Sequence, residues 1–132
     1  MISGINHITF SVRDLSSSIE FYRGLLGMRL HVYWETGAYL TAGEAWLCLS
    51  VGEPHPAKDY THVAFSLSEE KRVELHAKLA EAGVEEWKRN TSEGNSIYLR
   101  DPDGHRLELH CGTLATRLAE LETSPYKGLV WC

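Results

Sequence analysis

The sequence predicts an α+β fold made of two tandem βαβββ modules, and three observations carry that expectation. Residues 6–12 and 61–67 are two versions of one alternating segment offset by 55 positions, His on His and Phe on Phe. Each is followed by apolar residues at helical spacing that end at a glycine, Gly27 in the first copy and Gly83 in the second. Three short strand-like segments then close each copy.

In residues 6–12, period two places His7, Thr9 and Ser11 on one face and Ile8, Phe10 and Val12 on the other. Asp14 or Ser16 can cap a helix whose apolar positions are Leu15, Ile19, Phe21, Tyr22, Leu25 and Leu26. Strands are expected at 29–34, 37–41 and 45–50. Pro54 and Pro56 mark residues 52–59 as the link between modules. The second copy continues with a helix carrying Val73, Leu75, Leu79 and Ala82, then strands near 85–89, 96–100 and 105–111. Asp101-Pro102-Asp103-Gly104 joins the last two as a tight turn. A further short helix is expected in the tail after Thr113. The boundaries are therefore 1–52 for module one, 59–112 for module two and 113–132 for the tail, within one domain spanning 1–132. Two copies are a paired module, since solenoids stack at least three. Each sheet is expected to lie under its helix on one face, leaving the faces that bear His7 and His62 as walls of a shared cleft.

Bulk properties narrow the function. Thirteen Lys and Arg against 18 Asp and Glu give a formal charge of −5, which argues against nucleic acid or an anionic membrane as the main partner. The first residues lack the basic and apolar regions of a secretory signal, and no apolar run reaches membrane-spanning length. Cys48, Cys111 and Cys132 are odd in number and lack CxxC spacing, which reads as free thiols in a reducing, cytoplasmic setting.

The chemistry concentrates on the open faces. His7 and His62 occupy equivalent places in the repeat, which shifts their reading from structural histidines toward metal ligands. In residues 106–110, Arg106, Glu108 and His110 share one face and Leu107 and Leu109 the other. A carboxylate within an apolar strand is costly to bury unless it is paired or bound to a cation. His7, His62 and Glu108 thus form a two-histidine, one-carboxylate set with coordination positions left for substrate. Leu47-Cys48-Leu49 aligns with Leu107-Glu108-Leu109. Cys48 is either a fourth, thiolate ligand or a small pocket-lining residue, and the second reading suits a catalytic three-ligand site better. Residues 88–96, from Lys88 through Asn90, Ser92 and Gly94 to Ser96, form a loop rich in hydroxyls and amides. Such a loop is either an ordinary polar hairpin or a seat for a hard cation or an oxyanion. Lys88 and Arg117 can add positive charge beside an anion.

These motifs together resemble the vicinal oxygen chelate superfamily and, within it, the fosfomycin resistance thiol transferases. The resemblance runs through Asn-His-Ile-Thr-Phe at 6–10, Gly-Ala-Tyr-Leu at 37–40, Trp-Leu-Cys-Leu-Ser at 46–50 and Asp-Tyr-Thr-His at 59–62. It continues through Trp-Lys at 87–88, Ser-Glu-Gly at 92–94, Asp-Pro-Asp-Gly-His-Arg-Leu-Glu-Leu-His at 101–110 and Pro-Tyr-Lys-Gly at 125–128. It implies that His7, His62 and Glu108 bind Mn²⁺, with other divalent metals also suited. It further implies a homodimer that exchanges modules, His7 coming from one subunit and the other two ligands from its partner. Thr9, Lys88, Ser92, Tyr98 and Arg117 match phosphonate-contacting positions, and Asn90, Ser92, Gly94 and Ser96 match a K⁺-binding loop. Trp46 and Tyr60 match the pocket lining, and Tyr39 matches the residue that helps ionise the incoming thiol. Trp34, residues 46–48 and the Trp87–Asn90 stretch resemble the glutathione-using branch, whereas Val63 departs from it, since glutathione users often carry an aromatic residue there; the bacillithiol- or cysteine-using branch is the alternative. The alternatives are another enzyme of the superfamily, glyoxalase-like or a dioxygenase, and a non-catalytic drug-binding protein of the bleomycin-resistance kind.

Overall fold

The computed structural model describes all 132 residues. Strand β1 (His7–Val12) leads into helix α1 (Leu15–Ile19), which continues as a π-helical turn over Glu20–Leu25. Strands β2 (Arg29–Trp34), β3 (Gly37–Ala42) and β4 (Ala45–Val51) complete the first module. The second contains β5 (Val63–Ser66), α2 (Glu69–Glu81), β6 (Glu86–Lys88), β7 (Asn95–Arg100) and β8 (Arg106–Cys111), and α3 (Leu114–Thr123) follows. The two four-stranded sheets have the same topology, β1-β4-β3-β2 and β5-β8-β7-β6. In each, the first strand lies parallel to the last and the remaining pairs are antiparallel. The fold is the doubled βαβββ arrangement that the sequence predicts.

The alternation of β1 is kept, with Phe10 and Val12 buried and His7, Thr9 and Ser11 exposed. One cluster of 15 buried residues draws on both modules, with Val12, Tyr22, Leu40 and Leu49 from the first and Phe65, Leu79, Leu99 and Leu107 from the second. Burying side chains of this size stabilises by about 1.5–3 kcal/mol each, so this shared core is the main force joining the modules. Register makes the repeat literal. Cys48 pairs with Thr9 and Tyr39, and Glu108 pairs with Ala64 and Tyr98, so Cys48 holds in one sheet the place Glu108 holds in the other.

Local chemistry sets the boundaries. Asp14, rather than Ser16, caps α1 by accepting a hydrogen bond from the Ser17 amide at 3.0 Å. Gly27 ends the helical segment at φ 74°, a left-handed conformation that glycine adopts without steric cost. The second module's first strand begins at Val63 rather than at residue 61. Asp59 accepts from the Thr61 amide at 2.9 Å and His62 Nδ1 donates to the Tyr60 carbonyl at 2.6 Å, so this stretch bonds locally before the ladder starts. Val73 points to solvent, and only Leu79 of α2 is fully buried.

The 15–26 helix is not uniformly α. From Glu20 the backbone takes an extra residue per turn, and the Leu26 amide donates to the Phe21 carbonyl at 3.0 Å. This wider turn buries both Phe21 and Tyr22, their rings edge-on at 86° and 5.0 Å. The Tyr22 hydroxyl then reaches Asp101 of the second module at 2.7 Å.

The 101–105 turn fastens the modules together. Asp101 accepts from Tyr22 through one oxygen and from the Asp103 and His105 amides, each at 2.9 Å, through the other. Asp103 accepts from the Arg13 amide at 3.0 Å. His105 stacks on Phe10 at 5.0 Å and donates from Nε2 to the Ser11 carbonyl at 2.7 Å. Burial pushes the Tyr22 phenol well above its ordinary pKa, and the Asp101 charge pushes it further. Burial also raises the Asp101 carboxyl, with the Tyr22 hydrogen bond opposing part of that rise.

Candidate metal centre and substrate cleft

Strand alternation places the candidate residues on the open face of each sheet. On the second sheet, His62 Nε2 lies 3.0 Å from Glu108 Oε1, and the Ser96 hydroxyl lies 2.6 Å from Glu108 Oε2. Glu108 is only 8% exposed, so its charge needs the partners it has. Burial tends to raise the carboxyl, but the hydrogen bond from Ser96, together with the neighbouring histidines, outweighs it and holds Glu108 below its ordinary range.

The proton inventory tests whether this pair suits a cation. The Tyr60 carbonyl can only accept, so His62 Nδ1 carries the proton of the neutral ring and Nε2 presents a lone pair to Glu108. An ionised carboxylate also presents only lone pairs. Two acceptors facing each other call for a proton or a cation beside both. Two adjacent ligands at about 2.1 Å from one ion, at a right angle, stand about 3 Å apart, which is the spacing observed. A metal-binding histidine commonly donates its second N–H to a backbone carbonyl, as His62 does here. The donor set fits a divalent metal.

His7 lies on the first sheet. Its Nδ1 is 2.7 Å from Asn6 Oδ1, leaving Nε2 outward, and its ring packs on Trp46 at 4.5 Å. Trp46 meets Tyr39 at 5.3 Å, and Tyr39 meets Trp34 at 4.9 Å. Thr9 shares this face, in register with Cys48. Cys48 is buried and not near two other metal-binding side chains. No three His, Cys, Asp or Glu side chains of one chain converge on a common point, so His7 is not assembled with His62 and Glu108 within the chain.

Around His62 the second sheet builds an aromatic and cationic cluster. Lys88 hydrogen-bonds the Tyr60 hydroxyl and lies over the Tyr60 and Tyr98 rings at 4.6 and 4.8 Å. The Tyr60 bond raises the Lys88 ammonium above its ordinary pKa, so the charge persists at neutral pH. Trp87 packs against His62 and Tyr98 at 5.3 and 5.2 Å. In the adjoining loop, Asn90 donates to the Gly94 carbonyl at 2.7 Å and receives the Ser92 amide at 3.5 Å. Ser96 turns instead toward Glu108 and His110. Arg117, from α3, donates to Glu93 Oε2 at 3.0 Å, to the Glu93 carbonyl at 3.2 Å and to Ser92 at 3.4 Å. Its bond to Glu93, helped by Tyr126, raises the guanidinium, and the same bond lowers Glu93.

Four contributors lie outside the residues the sequence singles out as candidates: Trp87, Glu93, His110 and Tyr126. His110 shares the Glu108 face in the β8 alternation, which is a readable signal. Glu93 and Tyr126 stand inside quoted motifs, but their partner Arg117 is remote in sequence, and only folding pairs them.

The fold and this site define a class. The chain belongs to the Glyoxalase/Bleomycin resistance protein/Dioxygenase superfamily, whose model matches residues 4–109. Within that class it is 50% identical over 136 residues to the glutathione transferase FosA of Serratia marcescens, covering 99% of this chain and 96% of that protein. It is 43% identical over 126 residues to a metallothiol transferase FosB of Staphylococcus epidermidis, covering 90% and 91%. The fosfomycin resistance protein FosX of Listeria monocytogenes, solved with Mn(II) and sulfate, superposes with a TM-score of 0.80 at 33% identity over 91% of this chain and 98% of that one. No helix is long and apolar enough to cross a membrane.

Proposed function

We propose that this chain is a metal-dependent transferase that opens the epoxide of fosfomycin by adding glutathione, and so confers resistance to the antibiotic. The observation that carries the reading is the facing acceptor pair of His62 and Glu108 beside the Lys88 ammonium, a seat for a cation next to a seat for an anion. The similarity to FosA over nearly both full lengths supports glutathione as the thiol.

His62 and Glu108 of one subunit, with His7 from its partner in a homodimer, would hold Mn²⁺. The exposed position of His7 on the opposite sheet favours such sharing. When bound, the metal supplies Lewis acidity to the epoxide oxygen. Lys88 and Arg117 neutralise the phosphonate, and Thr9, Ser92 and Tyr98 donate hydrogen bonds to it. Trp46 and Tyr60 exclude water from the cleft. Asn90, Ser92, Gly94 and Ser96 would hold K⁺ near the phosphonate. Tyr39 favours the thiolate of the incoming thiol, the form that attacks. The sulfur bonds to an epoxide carbon, the carbon–oxygen bond breaks, and the freed oxygen takes a proton. The setting is the cytoplasm, where glutathione is the reducing thiol pool.

Fosfomycin consumption followed by NMR, with Mn²⁺ and K⁺ present and glutathione, cysteine and bacillithiol offered in parallel, tests the assignment. A glutathione adduct is the expected product. Preference for another thiol moves the protein to the bacillithiol- or cysteine-using branch, to whose FosB member it is 43% identical. No adduct with any thiol in metal-loaded protein overturns the function.

A further inference from the structure

We infer that His110 is a positioning residue for the metal-binding carboxylate, acting through Ser96 and wedged in place by two glycines. The inference rests on the assignment of Glu108 as a metal ligand. Three observations carry it.

The first is a chain of short contacts. His110 Nδ1 lies 2.6 Å from the Ser96 hydroxyl, and that hydroxyl lies 2.6 Å from Glu108 Oε2, which Nδ1 itself approaches at the longer distance of 3.3 Å. Ser96 has one proton. An ionised carboxylate can only accept, so the Ser96 proton goes to Glu108 and the Ser96 oxygen must itself accept from His110. The direction of the chain is fixed: His110 Nδ1–H to Ser96, Ser96 O–H to Glu108 Oε2. That occupies one carboxylate oxygen and leaves Oε1, the oxygen 3.0 Å from His62, as the one free for a cation.

The second is the housing of the ring. A Cβ on Gly94 would stand 2.7 Å from the Cys111 carbonyl oxygen and 2.8 Å from His110 Cε1, and a Cβ on Gly112 would stand 2.6 Å from His110 Nε2. Neither glycine leaves room for a side chain without moving the imidazole. Gly94 also has φ 74°, which suits glycine for a second reason, but Gly112 does not fall in the left-handed region. Apart from the Thr116 hydroxyl at 3.3 Å, the ring is the close neighbour a side chain at Gly112 would meet.

The third is location. The ring sits between the 90–96 loop and the start of α3, the two segments that bring Ser92 and Arg117 together. One imidazole therefore fixes the rotamer of Glu108 against the two elements that line the anion side of the cleft.

Mn²⁺ affinity, measured by the loss of the free-ion electron paramagnetic resonance signal, reads this role without turnover. His110→Leu is expected to weaken binding about 10- to 100-fold, the usual cost of removing a group that orients a metal ligand. His110→Asn, whose amide nitrogen can replace Nδ1–H, is expected within about threefold of wild type, and His110→Gln, which places its amide further out, is expected to behave like His110→Leu. Gly112→Ala should weaken binding in the wild-type background and add little in the His110→Asn protein, where the smaller side chain leaves space. Thermal melts of each metal-free variant show that the fold persists. Equal affinity for His110→Leu and wild type in folded protein overturns the inference, and so does failure of His110→Asn to bind better than His110→Gln. His62→Ala separates the two layers. If it leaves Mn²⁺ binding intact, the metal assignment fails and the role of His110 falls with it; if it abolishes binding, the His110 series alone decides.

Discussion

Replacing Tyr22 with Phe isolates the buried member of the hydrogen bonds that join the modules. Tyr22 is fully buried, and its ring packs against Phe21 at 5.0 Å, so phenylalanine keeps the shape and opens no cavity. What is lost is a 2.7 Å hydrogen bond to a carboxylate that is 5% exposed. A hydrogen bond to a charged group contributes about 1.5–3 kcal/mol, and Asp101 Oδ2 has no other partner to take up, so a loss near 2 kcal/mol is expected. For a chain of this length that corresponds to a fall in Tm of about 6–10 °C. Urea denaturation at one fixed protomer concentration gives the free energy, because an associating protein gains apparent stability with concentration. The pH dependence adds a signed check. The folded-state pKa of Asp101 is raised by burial, and such a carboxyl costs stability while ionised, a cost relieved as pH falls through that value. Tyr22→Phe removes a bond that lowers the Asp101 pKa, so its carboxyl takes up a proton at higher pH than in wild type. The stability gap between the two proteins should therefore be widest at neutral pH and narrow on acidification. A loss under about 0.5 kcal/mol, or a gap that widens with acid, refutes the role given to this bond.

Mixing His7→Ala chains with Glu108→Gln chains tests the shared site. Each alone should be inactive, and random exchange into mixed dimers should restore about a quarter of wild-type turnover, since half the dimers carry one intact site of two; no recovery in dimers shown to have exchanged refutes the sharing of His7. Arg117→Lys removes the fork that holds Glu93 and Ser92, so KM for fosfomycin should rise about 10-fold while KM for glutathione stays put, as steady-state kinetics with each substrate varied will show. Gly27→Ala meets nothing within 4 Å but needs φ 74°, so it should cost about 1–2 kcal/mol in urea denaturation with kcat unchanged.

The modules and the open faces were legible because they rest on period and repetition. Alternation in 6–12 and 61–67 set which side of each strand would be buried, and the offset between copies set the topology. Glu108 stood out because a carboxylate among leucines has to be compensated. What escaped was decided by contacts across the fold. Nothing in residues 20–25 announces a π-turn, whose reason is Asp101 in the other module. The Asp-Pro-Asp-Gly-His stretch reads locally as a hairpin turn, yet in three dimensions it is the fastening between halves. His7 marks a further limit: its place on the strand was readable, but its distance from His62 and Glu108 depends on how sheets are arranged, which alternation does not encode.

The π-turn has a bearing on how insertions and deletions are tolerated. Removing one residue between Glu20 and Leu25 would leave an ordinary α-helix of nearly the same length and composition, and by propensity alone a better one. Yet each residue advances an α-helix by about 100°, so the deletion would swing either Tyr22 or the Leu25-Leu26 pair off the buried side. The extra residue lets two incompatible phases coexist on one helix, one addressed to its own sheet and the other to Asp101 across the module boundary.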